Sequence, residues 1–211
     1  MLTIDASLPS ELAPLAWLVG EWEGTGVISY PLPSSDASAS ADPVEIEFGQ
    51  RMSFSHNGLG FLSYTAAAWR LDDELPIAAE SGFWRLSRAQ DPRDLGPGML
   101  PADGTPIGSA ADLEPLRRED GGFDIEASIV HPNGVSELYL GTAAGARIDL
   151  ATDAVMRSPN AKEHSASTRM LGLVEGHLLW AWDIVALGTP LTSHASARLA
   201  RVAESASDDD A

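Results

Sequence analysis

Short segments in which apolar and polar residues alternate follow one another along most of the chain, and this pattern predicts β-strands. The first runs from Gly20 to Tyr30, where Trp22, Gly26 and Ile28 share one face. Further candidates are EIEFGQRMSFS, GFLSYTAAAWRL, AAESGFWRL, FDIEASIV, VSELYLGTA, ARIDLAT, SASTRMLGLV, HLLWAWDIVAL and HASARLARV. Glycine-rich turns separate many of them, so we expect an all-β fold, an up-and-down antiparallel β-barrel of about ten strands.

The turns and the N-terminal segment support this organisation. Asn57-Gly58 and Asn133-Gly134 are strong hairpin signals. Before the first strand, residues 10–18 place three leucines at helical spacing behind Ser10, which predicts one short amphipathic helix with Ser10 as its possible cap.

The sequence predicts one domain over residues 1–203. Two segments interrupt the strand pattern: a Pro/Ser/Ala/Asp linker at residues 30–43 and a long insertion at about 87–121. The insertion is expected to be either a lid or a disordered excursion, and its composition favours disorder. Residues 204–211, ESASDDDA, are expected to form a disordered acidic tail because they contain little apolar surface to bury.

Composition narrows the function. The formal net charge is −18, which disfavours nucleic acid and anionic membrane surfaces as partners. The N-terminus lacks the features of a signal peptide and no apolar run is long enough to span a membrane, so the expected location is the cytoplasm. The chain has no cysteine, which excludes disulfides, thiolate nucleophiles and cysteine-ligated metals.

The five histidines are the remaining candidates for metal chemistry. His56, His131, His164 and His177 lie beside turns or charged residues and are expected to be exposed. His194 differs because it begins the last predicted strand, where it is either a functional ligand or an ordinary surface or core histidine. A lone histidine suffices for haem, since the porphyrin supplies four nitrogens.

The strand that contains His194 has an ambiguous register. Strict alternation puts His194 with Ser196 and Arg198, and puts the apolar Ala197 and Leu199 on the other face. Either the strand begins irregularly or the pocket face is polar; the alternation alone does not decide.

The other common active-site motifs are missing from the sequence: it has no G-x-S-x-G elbow, phosphate loop, H-E-x-x-H or dinucleotide fingerprint. A G-x-W-x-G-x-G motif does occur, formed by Gly20, Trp22, Gly24 and Gly26. Its glycines lie within a predicted strand, so we interpret them as permitting a bend or a close approach of neighbouring chain.

Several sequence blocks resemble the nitrobindin family of haem-binding β-barrels, which are similar in shape to fatty-acid-binding proteins and lipocalins. In order they are LAPLAWLVGEWEGTG, RMSFSHNGLGFLSYTAAAW, ESGFWR, IVHPNGVSELYLGT, LATDAVMRSPNAKE and ALGTPLTSHASARLARV. They cover nearly everything outside the linker, the insertion and the tail.

The resemblance implies a ten-stranded barrel that binds one haem b per chain, with His194 as the axial iron ligand and the catalytic centre. It implies ferric iron coordinated from one side, conversion of peroxynitrite to nitrate, and binding of nitric oxide. The haem propionates need donors at the barrel mouth, and the expected ones are Lys162 and Arg169. The expected partners are small reactive nitrogen species, and the protein is expected to be a monomer or a homodimer.

The chain also departs from the family pattern. Ala78 stands where relatives commonly have a histidine facing the open side of the haem, and Leu32 follows Tyr30-Pro31 where relatives tend to have a threonine. Loss of a donor weakens the stabilisation of an anionic ligand. The alternatives are a non-enzymatic carrier of an apolar molecule or lipid, and a barrel without cofactor that uses its insertion as a contact surface.

Overall fold

The computed structural model describes residues 7–30, 43–186 and 188–203 and forms a closed antiparallel β-barrel. Its strands follow the order β1-β10-β9-β8-β7-β6-β5-β4-β3-β2 around the barrel, so each strand pairs with its neighbours in sequence and β1 closes on β10. The strands are β1 (Gly20–Tyr30), β2 (Val44–Ser55), β3 (Phe61–Arg70), β4 (Pro76–Leu86), β5 (Phe123–Val130), β6 (Val135–Ala144), β7 (Arg147–Arg157), β8 (His164–Val174), β9 (His177–Ala186) and β10 (Thr192–Arg201). The predicted all-β, ten-stranded barrel is confirmed.

The predicted hairpins are also present. Gly58 and Gly134 both have a φ of +87°, the left-handed conformation that glycine adopts at little cost. Asn-Gly turns therefore connect β2 to β3 and β5 to β6 in the positions that the sequence indicates.

The N-terminal helix closes one end of the barrel. Ser10–Leu18 is a 3₁₀ helix, whose three residues per turn match the spacing of its buried leucines, Leu12, Leu15 and Leu18, each 0% exposed. The prediction that Ser10 caps this helix is wrong. The cap position is Pro9, and the Ser10 hydroxyl instead donates to the Gly108 carbonyl at 3.3 Å.

The 87–121 insertion has a defined conformation, so the expectation of disorder is wrong. It contains a short helix, α1 (Ala110–Leu113), followed by a 3₁₀ turn at Glu114–Leu116, and it buries Ile107 and Leu113 in the core cluster. The Arg88 guanidinium joins the insertion to the N-terminal helix by pairing with Glu11 and Asp94. The insertion thus covers the closed end of the barrel rather than forming a lid over the opposite end.

Three sequence-based predictions fall partly or wholly outside the described residues. They are the acidic tail at 204–211, most of the 30–43 linker, and the departure at Leu32. Among the described residues, no helix combines the length and hydropathy that a membrane crossing requires.

Candidate functional site: a histidine on a β-bulge inside the barrel

A β-bulge positions His194 at the end of the barrel remote from the N-terminal helix. Ser193 pairs with Asp183 and Ala195 pairs with Trp182, so His194 is the extra residue of β10 opposite β9. An extra residue interrupts strict alternation, and two successive side chains can then lie on one face. This irregularity resolves the ambiguity in the sequence: Ala197 and Leu199 face the core, at 7% and 0% exposure, and His194 also contacts an inward-facing ring.

That ring is Trp182. Its centroid lies 5.5 Å from the His194 centroid, with an interplanar angle of 76°. The Ser29 backbone of β1 accepts a hydrogen bond from the same imidazole ring. Burial, the largest influence, lowers the pKa of His194 and outweighs the opposing effect of the Ser29 carbonyl. His194 is therefore held by one nitrogen and favours the neutral form that coordinates metals.

A buried carboxylate, Glu137, organises the wall behind Trp182. Its side chain is 0% exposed, and its two oxygens accept hydrogen bonds from His131 Nε2 at 2.8 Å, His164 Nε2 at 2.8 Å and Ser167 Oγ at 2.5 Å. Burial alone would raise the Glu137 pKa, but these donors more than compensate, and the pKa lies well below the ordinary value. We call Glu137, His131, His164 and Ser167 the Glu137 cluster.

The Glu137 cluster corrects the sequence-based prediction for two histidines. The side chains of His131 and His164 are only 10% and 12% exposed, although both were expected to be exposed. His131 stacks on Trp182 with its centroid at 6.0 Å and an interplanar angle of 4°, and His164 lies 6.2 Å from the same ring. The remaining two, His56 and His177, are partly buried rather than fully exposed.

Arg169 is part of the same interior and not a free donor at the mouth. Nη1 and Nη2 both donate to the Glu80 carboxylate at 2.8 Å, and Nε donates to the Tyr139 hydroxyl at 3.0 Å. The guanidinium also lies 4.5 Å from the Trp182 ring centroid. Arg169 is 7% exposed, and Glu80 also accepts from the Tyr64 hydroxyl at 2.8 Å. Because Tyr139 and Glu80 already engage three of its five N–H groups, this geometry does not favour Arg169 as the propionate partner expected from the sequence.

Lys162 and Ala78 lie in different parts of the barrel. Lys162 is exposed in the turn between β7 and β8, just before His164, and its backbone carbonyl accepts a hydrogen bond from Arg157 Nη1 at 3.1 Å. Ala78 pairs with Ala68 across β3 and β4. β3 and β4 are three and four positions around the barrel from β10, on the far wall from His194. Ala66, Ala68 and Ala78 therefore give this wall small apolar side chains.

The G-x-W-x-G-x-G motif brings β10 close to β1. A Cβ on Gly24 would lie 2.9 Å from the Leu199 Cα, and one on Gly26 would lie 2.6 Å from both the Ala197 Cβ and the Phe48 ring. Trp22 is 0% exposed, and its Nε1 donates to the Leu18 carbonyl at 2.7 Å. The motif is therefore structural, and it sets the position of the strand that contains His194. Gly20, with a φ of +128°, begins β1.

With this geometry in view, comparisons with known proteins show the family. The sequence model described as "THAP4-like, heme-binding beta-barrel domain" matches residues 11–201. The chain belongs to this haem-binding β-barrel family. The resemblance to nitrobindins found in the sequence is thereby confirmed.

Two curated relatives are similar to this chain over nearly their whole length. One, from Leifsonia xyli subsp. xyli, is named peroxynitrite isomerase and is 59% identical over 95% of this chain and 99% of its own length. Another of the same name, from Clavibacter michiganensis subsp. michiganensis, is 52% identical over 96% of this chain and 100% of its own. The crystal structure of Rv2717c from M. tuberculosis has the same fold, with a TM-score of 0.65 and 24% identity over 95% of this chain and 100% of that one.

The residues of the site fit the haem that defines the family. His194 has one imidazole nitrogen held by the protein, which leaves the other for iron. The Trp182 indole N–H is buried and has no hydrogen-bond acceptor among the described residues, as expected next to a ligand site. No group of three or more His, Cys, Asp or Glu in the described ranges is arranged to hold a bare metal ion, so a metal at His194 needs the porphyrin to complete its coordination.

Proposed function

We propose that this chain binds one haem b through His194 and isomerises peroxynitrite to nitrate at ferric iron coordinated from one side, and that it also binds nitric oxide. The observation that carries the proposal is the β-bulge that directs His194 inward, where the Ser29 backbone binds its ring and Trp182 packs against the ring at a steep angle. The proposed reaction is the one for which the relatives are named, the isomerisation of peroxynitrite.

His194 is prepared for axial ligation by its surroundings. The Ser29 carbonyl accepts one imidazole N–H and so fixes the tautomer and the orientation of the ring. The lowered pKa favours the neutral ring at physiological pH, and a neutral imidazole is the form that donates its lone pair to a metal. Contact with Trp182 further restricts rotation of the ring.

Small side chains line the far wall of the barrel, which would face the open side of the cofactor. Ala66 and Ala68 are each 7% exposed and, with Ala78, provide no hydrogen-bond donor from their side chains. When bound, ferric haem supplies a Lewis-acidic iron with a free coordination position. Isomerisation conserves the atoms and charge of peroxynitrite, so the protein needs to supply neither an electron donor nor a net proton.

Lys162 is the proposed partner of a haem propionate. It lies in an exposed turn at the same end of the barrel as His194, and none of the ion pairs found among the described residues involves its ammonium group. An ammonium group at the rim can neutralise a propionate carboxylate while the porphyrin faces stay inside the barrel.

The alternative function, transport of an apolar molecule or lipid, is less compatible with the interior. Glu80, Glu137 and Arg169 place three ionised groups at the pocket wall, each with a side chain no more than 9% exposed. A purely apolar ligand cannot hydrogen-bond to these charged groups, so its binding would not stabilise them.

The decay of peroxynitrite tests the proposal. In stopped-flow measurements, haem-loaded wild-type protein should accelerate decay in proportion to its concentration and increase the yield of nitrate at the expense of nitrite. His194→Ala should reduce the rate to that of free haemin. His177→Ala, a histidine substitution at the other end of the barrel, should behave as wild type. Decay unaffected by the wild-type holoprotein would refute the isomerase function, and a separate spectral shift with nitric oxide tests the second ligand.

A further inference from the structure

The buried wall next to the proposed haem site contains more negative than positive charge. Glu80 and Glu137 are both carboxylates, at 9% and 0% side-chain exposure, and Arg169 is the guanidinium between them. Arg169 is committed to Glu80 through two hydrogen bonds of 2.8 Å, whereas its shortest ion-pair distance to Glu137 is 3.9 Å. Glu137 therefore has no counter-charge of its own in direct contact among these three groups.

Hydrogen bonds from His131, His164 and Ser167 stabilise the Glu137 anion. Both histidines approach it through Nε2 and Ser167 through its hydroxyl, so each can donate one hydrogen while remaining uncharged. Three donors to two oxygens account for an ionised carboxylate without a formal ion pair. When both imidazoles are neutral, Glu80, Glu137 and Arg169 together carry a net charge of −1.

A series of aromatic rings links this charge to His194. The His131 ring, which binds Glu137, stacks on Trp182, and Trp182 contacts His194, so two aromatic rings separate the carboxylate from the proposed iron ligand. The intervening groups are largely buried. Solvent and salt screen buried charges poorly. The Glu137 charge therefore influences an iron bound at His194 more strongly than a surface charge at the same distance would.

We propose that Glu137 sets the redox preference of the bound iron, with its charge favouring the ferric over the ferrous state. The ferric porphyrin core carries one more positive charge than the ferrous core, so a fixed negative charge nearby stabilises it more. The inference rests on the proposed function, in which His194 binds the iron. It also assigns the Glu137 cluster a role in that function. Isomerisation at ferric iron requires that cellular reductants do not readily reduce the iron to the ferrous state.

Reduction potentials measured by spectroelectrochemical titration test this inference. At pH 8, where free imidazole is mostly neutral, holoprotein of the Glu137→Gln variant should shift the one-electron equilibrium towards ferrous iron by about tenfold, equivalent to about 59 mV. Ser167→Ala is the matched control, since it removes one hydrogen bond from Glu137 but retains the charge. It should change the equilibrium by less than about twofold, which is below 20 mV for one electron.

A second variant tests the same charge without removing the carboxylate. His164→Arg places a permanent positive charge beside Glu137 at a side chain that is 12% exposed, and it should shift the equilibrium in the same direction. It decides the matter if Glu137→Gln does not fold. A potential equal to wild type in the folded variants overturns the inference, as does a Ser167→Ala shift as large as that of Glu137→Gln. Failure of the wild-type protein to bind haem through His194 would instead overturn the proposed function.

Discussion

Trp182 and His194 meet at a steep angle across the β9–β10 pair, with their ring centroids 5.5 Å apart and an interplanar angle of 76°. The bulge at His194 makes the contact possible, because it puts His194 on the same side of the sheet as Trp182. Trp182 is in turn held by His131 and by the guanidinium of Arg169. The orientation of the proposed iron ligand thus depends on residues of β8 and β9 and of the turn that follows β5.

The first prediction concerns this contact. Trp182→Ala removes the ring that restricts His194, and since an aromatic pair contributes about 0.5–1.5 kcal/mol, we expect haem to dissociate up to about tenfold faster. Trp182→Phe keeps an aromatic ring and should retain most of the wild-type rate. Transfer of haem to an excess of apomyoglobin measures both rates. Equal rates for wild type and Trp182→Ala would show that Trp182 does not hold the ligand.

The second prediction concerns the close approach of β1 and β10. In Gly26→Ala the new Cβ would lie 2.6 Å from the Ala197 Cβ and the Phe48 ring, so β10 must shift. We expect a loss of about 1–3 kcal/mol in the free energy of unfolding, together with weaker haem binding. Gly172→Ala is the control, because the nearest atom, the Ala146 carbonyl oxygen, is 3.8 Å away. Urea denaturation with haemin titration distinguishes the two; equal stability would contradict the packing account.

The third prediction concerns the insertion. Arg88 pairs with Glu11 at 2.7 Å and Asp94 at 2.6 Å, and the three side chains are 9%, 8% and 14% exposed. Arg88→Ala leaves two poorly solvated carboxylates, so we expect a loss of about 3 kcal/mol in the free energy of unfolding. Arg93→Ala removes an exposed pair with Asp91 and should cost less than about 1 kcal/mol. A loss of similar size in both variants would mean that the buried triad does not anchor the insertion.

The fourth prediction is a pH dependence. Burial is the main cause that raises the pKa of Tyr139 to about 12, above the value of about 10 for an unfolded tyrosine. The protonated phenol is favoured in the folded state, so its contribution is fully present below about pH 10 and is lost as the pH rises to about 12. That contribution amounts to about 3 kcal/mol. Urea denaturation at a series of pH values should show a shallower alkaline decline for Tyr139→Phe than for wild type; identical slopes would contradict it.

The fold could be predicted because its signals are local. Alternation along each strand, the Asn-Gly turns and the leucines before β1 all lie within a few residues of the element they specify. The insertion was less predictable, because Arg88 and Glu11 are far apart in the sequence and their pairing is what fixes the segment to the barrel.

The site was only partly predictable. The family resemblance pointed to His194 as the proposed ligand. Alternation could not show which face of β10 His194 lies on, because that depends on the bulge. His131 and His164 were missed as interior residues, because turn-like neighbours suggested exposure while their partner, Glu137, lies 6 and 27 residues away. A glutamate at an inward position of a strand was the available signal: Glu137 lies between the buried Val135 and Tyr139.

Titration of the apoprotein with haemin, followed at the Soret band, tests the central claim most directly. Wild type and the control His177→Ala should both show a saturable band at one haem per chain. His194→Ala should lose the band of the imidazole-ligated haem and should bind haem at least about 100-fold more weakly. Loss of hydrogen bonds that support a metal ligand already costs up to about 100-fold in metal affinity, and loss of the ligand itself should cost at least as much. A His194→Ala protein with the wild-type spectrum and affinity would contradict the assignment of His194 as the iron ligand.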